Sequence, residues 1–222
     1  MSHDPHSRKR LHKPSKVAFT GEHLFDRVAR AVCDAECLPR KELYESWEVA
    51  RRARRRFKGG RVVDLACGHG VVAHLMVLLD KGGGSGAVAV DRKLPPCAFA
   101  VQASLVEAFP QLANRVELLQ GDVEDVTLTA DDVVVAAHAC GGLTDRVLAA
   151  AIAARARVAV LPCCHSFGKQ DQGGLAGWLE PSLAIDVVRA ARLRDAGYDV
   201  HTQTIPDTIT PKNRLLFGRP RS

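Results

Sequence analysis

The stretch Arg61-Val62-Val63-Asp64-Leu65-Ala66-Cys67-Gly68-His69-Gly70-Val71-Val72-Ala73 decides the fold. Its first half is a short β-branched run, suited to a strand buried on both faces. Its second half is a Gly-x-Gly turn opening a helix, Val71–Leu79, that is apolar nearly all round. Such a turn needs glycine, because backbone must approach a ligand closely in conformations that a Cβ would block. In an open α/β sheet, ligands lie beyond the carboxyl ends of the strands, where this turn falls. Two ligand classes fit. Gly68-His69-Gly70-Val71-Val72-Ala73 matches the dinucleotide fingerprint G-x-G-x-x-G/A. Asp64, ahead of the glycines, suits an amino-acid ammonium group instead and would sit badly near a pyrophosphate.

Outward from this turn, strand-like and helix-like segments alternate. Strands are expected at Ala87–Val90, Val116–Leu119, Val133–Ala137 and Arg157–Leu161, with helices at Cys97–Phe109, Leu143–Ala154 and Ser182–Ala196. Gly82-Gly83-Gly84-Ser85-Gly86 reads as a turn, and Tyr198–Thr204 with Arg214–Gly218 as a closing β pair. Strands separated by helices imply βαβ units and a parallel sheet covered on both faces. Ahead of this unit, Leu24, Phe25, Val28, Ala31 and Val32 recur at helical spacing, as do Leu43, Trp47, Ala50 and Phe57. Residues 1–20 are polar and basic and are expected to form a disordered tail. The expected organisation is thus a tail at 1–20, a helical cap at 21–59 and a cofactor-binding domain at 60–220.

Two further acidic positions close later strands. Asp91, followed by Arg92, ends the second strand, where a carboxylate can accept both hydroxyls of a ribose. Gln120-Gly121-Asp122-Val123 follows the third, where an acid can accept from an adenine amino group. With the Asp64 turn, this spaced trio resembles motifs I, II and III of class I methyltransferases dependent on S-adenosylmethionine (SAM), over about residues 60–218. The resemblance implies a Rossmann-like α/β fold, with a seven-stranded, mostly parallel sheet whose last two strands form an antiparallel pair. It implies SAM as cofactor, with Asp64, Ala66, Gly68 and Gly70 at its methionine end. Asp91 and Arg92 then hold the ribose, Asp122 and Val123 the adenine, with His138 alongside.

Sulfur and imidazole groups cluster after the strands. Cys67 and His69 follow the first, His138 and Cys140 the fourth, and Cys163, Cys164 and His165 the fifth. In the methyltransferase sheet order these strands are neighbours, so His138, Cys140, Cys163, Cys164 and His165 are expected to line one acceptor crevice, with Cys67 and His69 as further members. Four readings stand: packing as small apolar residues, a metal site, a thiolate nucleophile, or a histidine general base. No C-x-x-C pair exists and adjacent Cys163-Cys164 suit one tetrahedral ion poorly, so no metal is expected. The pair of segments His138–Asp145 (HACGGLTD) and Val160–Ser166 (VLPCCHS) is similar to a methyltransferase group that includes tRNA 2′-O-ribose methyltransferases. Ser166 stands where that group carries a second histidine.

Composition bounds the rest. Of 222 residues, 46% are hydrophobic and 25% charged, with net charge +6, so the chain can bury a full core without disulfide staples. The seven cysteines do not read as a disulfide framework, and a reducing cytoplasm is the expected setting. No apolar run suits a membrane span. Basic side chains concentrate in Arg8–Lys16 and Arg51–Lys58, which point to RNA (tRNA or rRNA) as acceptor through its phosphates. A small-molecule acceptor and a catalytically silent SAM-binding protein are the alternatives. Lys212 and Arg214 are candidates for holding a phosphate near the acceptor.

Overall fold

The computed structural model describes residues 4–82, 84 and 86–221. Seven strands form one sheet: β1 (Val62–Leu65), β2 (Ala87–Asp91), β3 (Val116–Gln120), β4 (Val133–Ala136), β5 (Arg157–Val160), β6 (Tyr198–Thr204) and β7 (Arg214–Pro220). Their order is β3-β2-β1-β4-β5-β7-β6. The first five pair in parallel, whereas β7 runs antiparallel to both β5 and β6. Every residue of β1 and β4 is buried, which explains their continuous Val-rich runs.

The helices are α1 (Leu24–Asp34), α2 (Arg40–Arg56), α3 (Val71–Leu78), α4 (Ala98–Ala108), α5 (Gly142–Ala153) and α6 (Pro181–Asp195). One apolar core joins the cap residues Val28, Val32, Leu43 and Val49 to Leu75 of α3 and Val101 of α4. The second lies between the opposite sheet face and Val147, Leu148 and Leu193 of α5 and α6. α3 is sandwiched between α2 and the sheet, so it shows no polar face. Among the described residues, no helix is long and apolar enough to cross a membrane.

Over residues 4–20 the expectation of a disordered tail, made for residues 1–20, is corrected. A 3-10 turn spans Lys13–Ala18, and Leu11 and Phe19 are fully buried. Backbone bonds join Leu11 to Leu38, Arg40 to Lys9 and Lys41 to Ser7, so the segment lies antiparallel along the entrance to α2. Two apolar anchors suffice because the cap already offers a groove for them. Met1–His3, and Gly83 and Ser85 of the expected Gly82–Gly86 turn, lie outside the described residues.

Candidate functional site

The turn after β1 takes left-handed residues at three alternate positions: Ala66 (φ 58°), Gly68 (φ 55°) and Gly70 (φ 71°). At Gly70 an added Cβ would stand 2.7 Å from Leu118 Cδ2, so the loop cannot recede. A left-handed alanine costs of order 1 kcal/mol and persists only where its surroundings impose it. Ala66 lines a cleft of about 340 Å³ with Asp91, Asp122, Val123, His138 and Cys140. These six were all expected around the cofactor or acceptor, and only the fold gathers them.

Asp91 closes β2 with both oxygens oriented by backbone. Oδ2 accepts from Gly68 N–H at 3.0 Å and Oδ1 from Lys93 N–H at 3.0 Å, which leaves a lone pair on each for a diol. Asp64 lies beneath the loop, 1% exposed. Its Oδ2 accepts from Ala73 N–H at 3.2 Å, while Oδ1 has no partner. Burial, with the Asp91 and Glu42 charges nearby, pushes its carboxyl up to about 8. A buried, unpaired acceptor beneath a glycine cradle is a fit for a cationic ammonium group. Asp122 and Arg92 meet each other at the cleft edge, at 2.8 Å, so the Asp122 Oδ1 expected at the adenine already has an arginine on it.

The rim divides. Gly141 N–H donates to Cys164 C=O at 3.1 Å, docking the turn after β4 on the turn after β5. Gly141 has φ 59°, and a Cβ there would stand 2.8 Å from Ser166 Oγ. This contact brings Cys140, Cys163 and Cys164 together, with sulfurs within 4.8 Å of one another and Cys140 Sγ 3.3 Å from Cys163 Sγ. The Cys163 thiol outweighs burial and, with the Cys164 thiol and the charges of His138 and Lys212, pulls Cys140 down to about 6. His138 lines the cleft with a buried Nε2 that has no partner.

Three expectations about this rim are corrected. His165 turns away from the crevice: its side chain is 1% exposed and its Nε2 meets Asp186 Oδ1 at 2.8 Å. There it joins Arg189, which bridges Asp145 and Asp186 and donates to Gly141 C=O. This buried network braces the turn after β4. Cys67 packs in the core, 3% exposed. His69 belongs to another group, with Glu42 Oε1 at 2.7 Å and with Cys37 and Cys97. In a tight turn, neighbouring side chains leave in different directions, which adjacency in sequence does not reveal. Arg214 is also engaged internally, on Asp186 and Ser182, whereas Lys212 is exposed.

Glu42, in the first turn of α2, was missed. Its Oε1 lies 3.7 Å from where a Gly68 Cβ would stand. Burial would raise its carboxyl, but the His69 hydrogen bond and the His138 and His69 charges outweigh burial and hold it below the carboxylate range. Little in the sequence signals it, since Glu42 is one of three glutamates in the first half of α2.

The two basic segments lie at opposite ends of the sheet. Of the arginine-rich end of α2, Arg51 and Arg52 pair with Glu48. Arg54 is 3% exposed and donates to Met76 and Gly59 carbonyls. This end adjoins the amino ends of the strands, as Lys58 C=O accepts from Arg157 at the start of β5. Arg8, Lys9 and Arg10 are exposed on the strap between α2 and the β6–β7 turn, where His6 Nδ1 meets Ile209 C=O at 3.0 Å. That strap crosses the carboxyl end.

A family model described as "Methyltransferase domain" matches residues 41–167. No curated protein matches the chain. Among solved structures, an O-methyltransferase family protein from Burkholderia thailandensis superposes with TM-score 0.54 at 19% identity, covering 97% of this chain and 65% of that one. The B. subtilis tRNA methyltransferase TrmK gives 0.50 at 16% identity, covering 79% and 66%. A methyltransferase from Podospora anserina bound to S-adenosylhomocysteine (SAH) gives 0.51 at 15%, covering 82% and 79%. At these identities the likeness is one of fold, and this chain spans about two thirds of the Burkholderia protein. The family match runs from Lys41, beside Glu42, through the cofactor loop to Phe167, beyond the paired cysteines. With the seven-stranded sheet and its cleft, it makes the chain a member of the methyltransferase-domain family, a class I enzyme whose cofactor is SAM.

Proposed function

We propose that this methyltransferase acts on RNA. The observation that carries this reading is the strap, which holds Arg8, Lys9 and Arg10 exposed, with no ion pair among the described residues, across the catalytic end of the sheet. Clustered free cations bind phosphates by releasing counterions. Lys212, close enough to act on Cys140, extends the positive field to the acceptor rim. Phe167 (60% exposed) and Trp178 (88%) stand on the loop after β5 and offer faces on which unpaired bases stack. TrmK, of similar fold, is a tRNA enzyme by its name.

When bound, SAM supplies a methyl group on a sulfonium centre. This chain's residues then have to align an acceptor with that methyl and exclude water, effects worth about 7–11 kcal/mol for well-oriented reactants. Asp91 holds the ribose and Asp64 the ammonium end. The imidazole of His138, which lines the cleft, receives the proton from an acceptor hydroxyl, which fits a ribose 2′-oxygen. The depressed Cys140 thiol favours a second reading. As thiolate it adds to a pyrimidine ring carbon, the neighbouring carbon takes the methyl, and loss of that carbon's proton expels the thiolate.

Incubation of the full chain with radiolabelled SAM and fractionated cell extract tests the proposal. Label is expected in RNA, and label confined to small molecules or protein overturns it. Nucleoside analysis of labelled RNA then separates the two readings: 2′-O-methylation with activity kept in Cys140→Ser supports His138. A ring-methylated base with activity lost supports Cys140.

A further inference from the structure

We propose that Cys37, His69 and Cys97 form a zinc site that ties the cofactor loop to the cap. The three come from separate parts of the fold: Cys37 from the α1–α2 connection, His69 from the loop after β1, and Cys97 from the N-cap of α4. Their ligand atoms nevertheless lie within 4.8 Å of one another. Zinc–sulfur and zinc–nitrogen bonds of about 2.3 and 2.0 Å set tetrahedral ligands roughly 3.5–3.8 Å apart, so closure shortens each separation by about 1.3 Å at most.

The orientation of His69 is the second observation. Glu42 Oε1 engages its Nδ1 at 2.7 Å, which leaves Nε2 as the nitrogen for an ion. A carboxylate behind a ligating histidine fixes the tautomer and raises ligand basicity, as in many zinc proteins. Two thiols and an imidazole select zinc over magnesium or calcium. On binding, Zn²⁺ replaces the protons of Cys37 and Cys97, so the two thiolates balance the ion and no net charge is added to a largely buried place. Three protein ligands leave a fourth corner for water. All three thiols of the other cluster, Cys140, Cys163 and Cys164, lack a carboxylate-oriented imidazole among them.

His69 stands between Gly68 and Gly70, so an ion there fixes the loop that cradles the cofactor. Glu42 serves as the positioning residue. This inference is independent of the acceptor being RNA.

The test uses untagged full-length protein equilibrated with zinc, dialysed and analysed for metal. One zinc per chain is expected, with Cys37→Ser and Cys97→Ser each losing it and Glu42→Gln weakening affinity about 10–100-fold. Wild-type protein supplies a readout free of folding effects: zinc is expected to slow iodoacetamide alkylation of Cys97 at least about tenfold relative to chelator-treated protein. Less than about a tenth of an equivalent of zinc would overturn the proposal. So would zinc retained by both serine variants, or protection confined to Cys140, Cys163 and Cys164.

Discussion

Asp64 and Asp132 are almost equally buried, 1% and 2% exposed, at opposite ends of one sheet. Asp132 immediately precedes β4 at the amino end. Its oxygens accept from Arg61 at 2.9 and 2.8 Å and from Thr129 N–H at 2.7 Å. Burial would raise its carboxyl, yet Arg61 and Thr129 outweigh burial and hold it below the usual range. Asp64, toward the carboxyl end of β1, has one backbone donor and an oxygen without a partner, and burial pushes it up to about 8. The same residue type, equally shut off from solvent, is satisfied close to the surface at one end and left open in the interior at the other. The basic groups differ less sharply: around the end of α2, Arg51, Arg52 and Arg54 are bonded internally while Arg55 and Lys58 face solvent, and at the carboxyl end Arg8, Lys9 and Arg10 all face solvent. Beneath the cofactor loop, the unmatched Asp64 oxygen is the one placed where a ligand cation can meet it.

Removing the satisfied group has the largest effect. Asp132→Ala should cost about 2–3 kcal/mol at pH 7, roughly 4–12 °C in Tm for a chain of this size. Because the folded carboxyl titrates below its unfolded value, this stabilisation is present above about pH 4 and lost as pH falls further. Thermal melts from pH 7 to pH 3 should therefore converge for wild type and variant.

Asp64→Asn should act with the opposite sign. Folded wild type keeps a proton that the unfolded chain releases above about pH 4, so stability declines with pH until the folded group titrates, near 8. The amide abolishes that decline, and the ligand-free variant should be about 1–2 kcal/mol more stable at pH 8 while binding SAM about tenfold more weakly. Melts at pH 5 and pH 8 with unchanged slope would show that another group carries the proton.

Neutralising the strap tests the open end from outside. Arg8→Ala, Lys9→Ala and Arg10→Ala combined should leave stability within about 0.5 kcal/mol. The same variant should lower tRNA affinity about tenfold at low salt, or ~1.4 kcal/mol, and flatten its salt dependence. Equal loss on neutralising the α2 arginines would erase the distinction between the two ends. The smallest effect is expected for Arg52→Ala, about 0.5 kcal/mol or less in a denaturant titration, since Glu48 still holds Arg51.

Much of the fold was legible because local pattern and global packing agree. The alternation of Val-rich runs with helical segments located strands to within a residue or so, as in β1, β2 and β5. Burial on both faces of a parallel sheet enforces such runs. The turn at 66–70 and Asp91 were legible for the same reason: backbone geometry dictates their residue types. The strap was not, because Leu11 and Phe19 are buried by the folded core and look like isolated apolar residues in a basic tail. Glu42 carried no local signature, since a first-turn acid on a helix is ordinary.

By itself, then, the sequence determined the order of elements, the glycine cradle and the three acidic positions, because each is set by periodicity or by a backbone conformation. Only the tertiary structure decided which side chains meet. Docking of Gly141 on Cys164 assembled the three-cysteine rim and left His165 to Asp186. The cap placed Glu42 and Cys37 against His69, and it seated the strap along the entrance to α2. Side-chain direction and the satisfaction of charges depend on partners distant in sequence, so no reading of spacing reaches them.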